Sequence, residues 1–68
     1  MYKNLFIERK KQKLTVTEMG KVISKTPATY YKKEIGFVNT TVQEAISISK
    51  KLNKPIEYLF EEFDIEEE

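Results

Sequence analysis

The sequence contains neither cysteine nor histidine among its 68 residues. Without these side chains the protein can form no disulfide and no thiolate or imidazole metal site, and the usual nucleophilic triads are missing. It also lacks a glycine-rich phosphate loop, and so short a chain leaves little room for a closed substrate pocket. We therefore expect no enzymatic activity, no metal and no cofactor.

Long apolar segments are missing as well. No run approaches the roughly 20 residues that a helix needs to cross a bilayer, and the first residues do not form the apolar stretch of a signal peptide. Together with the absence of cysteine, this leads us to expect a cytoplasmic protein without a membrane partner. With only two glycines, two prolines and 40% hydrophobic residues, the chain is expected to fold rather than to be disordered.

The charges are divided between two parts of the chain. Residues 1–54 hold all twelve Lys and Arg against four Glu, a net charge of +8, whereas residues 55–68 hold seven acidic residues and no base, a net charge of −7. A basic body favours a nucleic-acid partner only modestly, because lysine-rich helical surfaces are common. We expect one domain over residues 1–63 and a disordered acidic tail over 64–68. This tail could serve solubility, select partners or compete with DNA for the basic surface.

Apolar spacing and helix-capping signals predict five short helices and no strand. Thr15 to Glu18 and Thr41 to Glu44 are capping boxes, and Thr26-Pro27 combines an N-cap hydroxyl with proline at the first helical position. Gly36 can end a helix in the left-handed conformation. The predicted helices span residues 3–13, 16–23, 27–35, 42 to 51 or 52, and a fifth short segment from Pro55.

Only Ser24 to Thr26 separate the second predicted helix from the third, which is the spacing of a helix-turn-helix. Gly20 supports this interpretation. A glycine inside a helix costs roughly 1 kcal/mol relative to alanine, so close packing of the two helices would account for it. The predicted fold class is all-α with a central helix-turn-helix.

A series of residues in a fixed order extends over positions 4–60: Arg9, Leu14-Thr15, Gly20, Ile23, Thr26, Thr29-Tyr30, Glu34-x-Gly36 and Tyr58-Leu59-Phe60. In this respect the chain resembles the lambda-repressor-like family of phage repressors, Cro proteins and XRE-type regulators. The resemblance implies that the third helix enters the major groove of double-stranded DNA. It also implies an ion pair between Arg9 and Glu34 that fixes the angle of this helix.

The resemblance assigns base-contacting positions to the third helix: Pro27, Ala28, Tyr31 and Lys32. Lys32 could donate to guanine and Tyr31 to a base edge or phosphate, whereas Pro27 and Ala28 could only touch a thymine methyl group. Tyr30, by contrast, is expected in the core. The candidate phosphate contacts are Lys25, Thr26, Thr29, Lys33, Asn39 and Thr40.

Four positions depart from the family pattern. Val16 replaces the usual Gln at the start of the second helix, Ser24 the turn glycine, and Lys25 and Lys33 two apolar residues. With so few polar groups to read bases, phosphate contacts and DNA shape are expected to supply much of the affinity.

The resemblance also implies a homodimer, because family members usually bind two half-sites about one helical turn apart. Phe63 and Ile65, apolar residues in the acidic end, are candidate dimer contacts. An alternative function is a protein-binding module, similar to an antirepressor or antitoxin, that does not bind DNA itself. Steep salt dependence of duplex binding would favour the regulator, and absence of binding at low salt would favour the alternative.

Overall fold

The computed structural model describes residues 1–61 of the chain. Five helices lie in this range and no strand: α1 Lys3–Lys11, α2 Val16–Val22, α3 Pro27–Glu34, α4 Val42–Leu52 and α5 Ile56–Leu59. The predicted all-α fold is therefore confirmed. Within 1–61 no helix is both long and apolar enough to cross a bilayer. The predictions for Phe63, Ile65 and the tail over 64–68 lie outside the described residues.

Threonine caps begin the three central helices, as the sequence predicts. The Thr15 hydroxyl accepts from the Glu18 amide at 3.1 Å, while the Glu18 carboxylate accepts from the Thr15 amide at 2.8 Å. Thr41 and Glu44 form the same reciprocal pair at 3.1 and 3.0 Å. Such caps are each worth about 1 kcal/mol. They fix where α2 and α4 begin.

Four helix boundaries differ from the predicted ones, among them the end of α3, which lies at Glu34 with Ile35 as the C-cap. α1 ends at Lys11, two residues early, because Lys13 adopts the left-handed conformation with φ 59°. α2 ends at Val22, where Ile23 is the C-cap. Pro55 is the N-cap of α5 and not its first helical residue, since its ψ of 147° is extended.

The core contains apolar side chains from all five helices and from Ile23, the residue that caps α2. These side chains are Leu5, Met19, Ile23, Tyr30, Ile48, Leu52 and Leu59. α1 and α5 close the domain. Asn4 Nδ2 donates to the Tyr58 carbonyl at 2.9 Å, and the Tyr2 and Phe60 rings meet edge to face at 5.1 Å. Of the helix pairs in the described part of the chain, α2 and α3 make the most extensive contact.

The elbow between α2 and α3 is as tight as the spacing of Gly20 and Pro27 predicts. The Lys25 amide donates to the Gly20 carbonyl at 2.8 Å. A Cβ on Gly20 would lie 2.7 Å from the Lys25 carbonyl oxygen. Gly20 is thus required because the backbone of the elbow occupies the space that a side chain would need.

Ser24 turns the chain within this elbow, at φ 59°. The left-handed conformation costs a residue with a Cβ roughly 1–2 kcal/mol, of which glycine's greater freedom in the unfolded chain cancels about half. We expect Ser24→Gly to raise the free energy of unfolding by about 0.5–1 kcal/mol, and hence the melting temperature by about 3–6 °C. Circular dichroism would measure this. Lys21→Gly, in helical conformation within α2, is the control and should lower stability by about 1 kcal/mol. A Ser24→Gly variant that melts lower than wild type would contradict the expectation.

Candidate nucleic-acid interface

Helix α3 has one exposed and one buried face. Tyr30 is fully buried, whereas the neighbouring Tyr31 is 47% exposed. The other residues of α3 follow the same division, because residues three and four positions apart lie on the same face of a helix. The exposed side comprises Pro27, Ala28, Tyr31 and Lys32. All four predicted base-contacting residues therefore lie together on the solvent-facing side of α3.

The first turn of α3 is held by Thr26. Its hydroxyl accepts from the Thr29 amide at 3.1 Å and donates to the Thr29 hydroxyl at 2.9 Å. The Thr26 hydroxyl hydrogen is thus already used, while the Thr29 hydroxyl still has a hydrogen to donate. Since Pro27 has no N–H and the Tyr30 amide bonds to the Thr26 carbonyl, Ala28 provides the remaining amide in this turn. The Thr29 hydroxyl and the Ala28 amide are the donors that a phosphate could meet here.

The C-terminal turn of α3 is tied to α1 by a buried ion pair. Arg9 Nε lies 3.1 Å from both carboxylate oxygens of Glu34, whose side chain is fully buried. Arg9 Nη1 also donates to the Leu14 carbonyl at 2.9 Å, and the Tyr2 amide donates to the Glu34 carbonyl at 2.9 Å. The pair expected from the resemblance is thus present, with a backbone link beside it.

Burial raises the pKa of Glu34 above its ordinary value, and the hydrogen bond and charge of Arg9 oppose this rise. The ionised carboxylate in this dry site therefore depends on the guanidinium for its stability. Together, the two groups hold α3 in a fixed orientation relative to α1.

Lys33 is not available as a phosphate contact, which corrects the prediction. The residue is only 6% exposed. Its Nζ lies 3.1 Å from Glu44 Oε1 and donates to the Asn39 carbonyl at 2.7 Å. The ammonium thus faces α4 and the α3–α4 loop, and two partners inside the domain hold it there.

Thr40 also differs from its predicted role. Its Oγ1 is buried and has no hydrogen-bond partner among the described residues, so the hydroxyl does not reach the surface where a phosphate would lie. Asn39 is exposed, as is Lys25 in the elbow. These two residues and Thr29 remain candidates for contacts with DNA phosphates, whereas the hydroxyl hydrogen of Thr26 is already donated to Thr29.

Comparison with known proteins agrees with this geometry. A family model described as helix-turn-helix matches residues 5–59, which span α1 to α5. The chain belongs to the Cro-type (XRE) helix-turn-helix family. No curated protein and no solved structure matches it. The match is to a family of DNA-binding regulators and covers the elbow, α3 and both residues of the Arg9–Glu34 pair.

The Lys33–Glu44 pair of this helix-turn-helix domain was not foreseen from the sequence. Burial alone would raise the pKa of Glu44, but the hydrogen bond from the Thr41 amide and the nearby Lys33 ammonium lower it. The sequence did assign Glu44 to a capping box. A lysine at a position that the family usually fills with an apolar residue was the signal that a buried acid should be sought.

Proposed function

We propose that this protein is a cytoplasmic, sequence-specific double-stranded DNA-binding regulator of transcription, of the repressor or Cro type that phages and mobile elements use. The observation that carries the proposal is the exposed face of α3, formed by Ala28, Tyr31 and Lys32 on the far side from the buried Tyr30 and Glu34. An α-helix with its side chains is about 10–12 Å in diameter, and the major groove is about 12 Å wide. α3 therefore fits the groove.

Charge supports the same proposal. Residues 1–54 carry a net +8, and Lys25 and Lys32 lie at the two ends of the exposed α3 surface. Each phosphate neutralised by such a cation releases condensed counterions, which makes binding strongly salt-dependent. Because the exposed face offers only Lys32 and Tyr31 as polar readers of bases, phosphate contacts and DNA shape should contribute much of the affinity.

The proposal includes a homodimer, since one short helix contacts too few base pairs for tight specific binding. Phe63 and Ile65 remain the candidate contacts from the sequence. Among the described residues, Phe37 and Val42 are apolar side chains that are 76% and 75% exposed, and a second protomer could cover either of them. Two protomers per selected duplex is the stoichiometry we expect.

The test selects bound duplexes from a random pool and then measures affinity over a salt series. Lys32→Ala should weaken binding to the selected duplex by about 1–3 kcal/mol and relax the preference at one base pair. Lys25→Ala should weaken binding to all duplexes alike and make the slope of log affinity against log salt shallower by about 0.9. Lys50→Ala, an exposed lysine on α4, is the matched control and should leave the base preference unchanged.

The competing function is a protein-binding module without DNA affinity. It predicts that the wild-type protein selects no duplex even at low salt. Selection of a duplex with no change on replacing either Lys25 or Lys32 would instead show that α3 is not the reading element.

A further inference from the structure

Two consecutive residues near the end of α3 make buried ion pairs in different directions. Glu34 pairs with Arg9 on α1, and Lys33 pairs with Glu44 on α4. Apart from its contact with α2, helix α3 makes no extensive contact with another described helix. The orientation of its C-terminal half therefore depends largely on these two ion pairs, together with the hydrogen bond from the Tyr2 amide to the Glu34 carbonyl.

Lys33 also controls the loop that follows. Its Nζ donates to the Asn39 carbonyl at 2.7 Å, while the Lys32 carbonyl accepts from the amides of Phe37 and Val38 at 2.8 and 3.2 Å. Glu44 in turn accepts from the Thr41 amide at 3.0 Å. One buried ammonium thus connects the last turn of α3, the middle of the loop and the capped start of α4.

We propose that Lys33 is a positioning residue for DNA recognition, which acts through Glu44 and the Asn39 carbonyl and touches no DNA. By holding the end of α3 against α4, it sets the depth and angle at which Tyr31 and Lys32 meet the groove. The inference rests on the proposed DNA-binding function. It gives the C-terminal end of α3 a second buried ion pair, Lys33–Glu44, in addition to Arg9–Glu34. We call this second ion pair the clamp.

The variants Lys33→Met and Glu44→Gln remove one charge each and keep similar side-chain length. Lys33→Arg retains the charge, and Lys25→Met removes an exposed cation as a control for a phosphate contact. Affinity for the duplex selected by the wild-type protein is measured over a salt series, at a temperature where circular dichroism shows every variant to be fully folded. Amide hydrogen exchange of Phe37 and Val38 is measured on the same free proteins.

We expect Lys33→Met to weaken binding by about tenfold with an unchanged salt slope, whereas Lys25→Met makes the slope shallower by about 0.9. Glu44→Gln is the decisive variant. It removes a negative charge, so simple electrostatics would strengthen DNA binding, but loss of the clamp should weaken it. Both Lys33→Met and Glu44→Gln should speed exchange of the two loop amides, and Lys33→Arg should restore most of the affinity.

A shallower salt slope for Lys33→Met, or unchanged or tighter binding by Glu44→Gln, would overturn the proposal. The exchange measurement separates this result from failure of the proposed function. If the wild-type protein selects no duplex, faster exchange at Phe37 and Val38 would still support the clamp, and unchanged exchange would reject it.

Discussion

Replacing Arg9 by methionine should lower the free energy of unfolding by about 3–5 kcal/mol, because it leaves the Glu34 carboxylate buried without a counter-charge. A domain of 68 residues has a total stability of about 3–10 kcal/mol. The variant should therefore lose about a third or more of its stability at neutral pH, and it is largely unfolded if the total lies at the lower end of this range. Urea denaturation followed by circular dichroism at pH 7 measures the loss.

The loss of unfolding free energy in Arg9→Met should become smaller as the pH falls. Burial already raises the pKa of Glu34, and removal of the opposing guanidinium raises this pKa further. Since the folded variant then binds the proton more tightly than the unfolded chain, its stability relative to wild type rises from pH 7 toward about 4.3, the ordinary value for Glu. A gap between Arg9→Met and wild type that stays constant over this range would show that Glu34 does not carry the defect.

Two further variants test whether the Arg9–Glu34 ion pair accounts for the loss of stability. Arg9→Met combined with Glu34→Leu removes both charges and should recover most of the lost stability, because an apolar pair avoids the desolvation of either group. Lys50→Met, which removes an exposed cation from α4, should change stability by no more than about 0.5 kcal/mol. A double variant as unstable as Arg9→Met alone would mean that the arginine contributes mainly through its other contacts and not through Glu34. These contacts are the hydrogen bond to the Leu14 carbonyl and the Phe6 ring, whose centroid lies 5.6 Å from the guanidinium carbon.

Gly20→Ala should be the next most damaging change. Alanine is ordinarily about 1 kcal/mol better than glycine inside a helix, but here the added Cβ would lie 2.7 Å from the Lys25 carbonyl and 3.2 Å from the Thr26 carbonyl. Both neighbours are backbone atoms of the elbow, so α2 and α3 must move apart. We expect a net loss of about 1–3 kcal/mol and a fall in DNA affinity beyond the loss of folded protein.

Thermal denaturation of Gly20→Ala and of Lys21→Ala makes a direct comparison. Lys21 is the next residue in α2 and is exposed, so alanine there should be nearly neutral. Equal stability of Gly20→Ala and wild type would indicate that the elbow can widen freely, and α3 would then lack a fixed angle.

The sequence predicted best those features that depend on neighbours along the chain. The Thr15 and Thr41 capping boxes, the left-handed Gly36 and the short elbow at Gly20 each follow from a few adjacent residues. The exposed and buried faces of α3 follow from helical period once its start at Thr26-Pro27 is known. The Arg9–Glu34 pair came from the family resemblance, since nothing local connects positions 25 residues apart.

The errors concern side chains whose partners are set by the tertiary fold. Lys33 stands at a position that the family usually fills with an apolar residue, but its partners are set by the loop, which brings Glu44 and the Asn39 carbonyl to its ammonium. The Thr40 hydroxyl is buried by the same loop. The sequence also made no prediction for the hydrogen bond that Tyr58 donates to Glu8 at 3.1 Å, over a separation of 50 residues. The local sequence pattern and the composition do not show which distant side chains will come into contact.

The Asn4–Tyr58 hydrogen bond joins residues 54 positions apart, whereas the elbow joins Gly20 to Lys25. Closing the longer loop requires a larger loss of chain entropy. We therefore expect α2 and α3 to associate in the folding transition state and α1 and α5 to meet after it. Weakening the contact of α1 with α5 should then accelerate unfolding and leave the folding rate nearly unchanged. On this view, the elbow that presents α3 is also where the protein begins to fold.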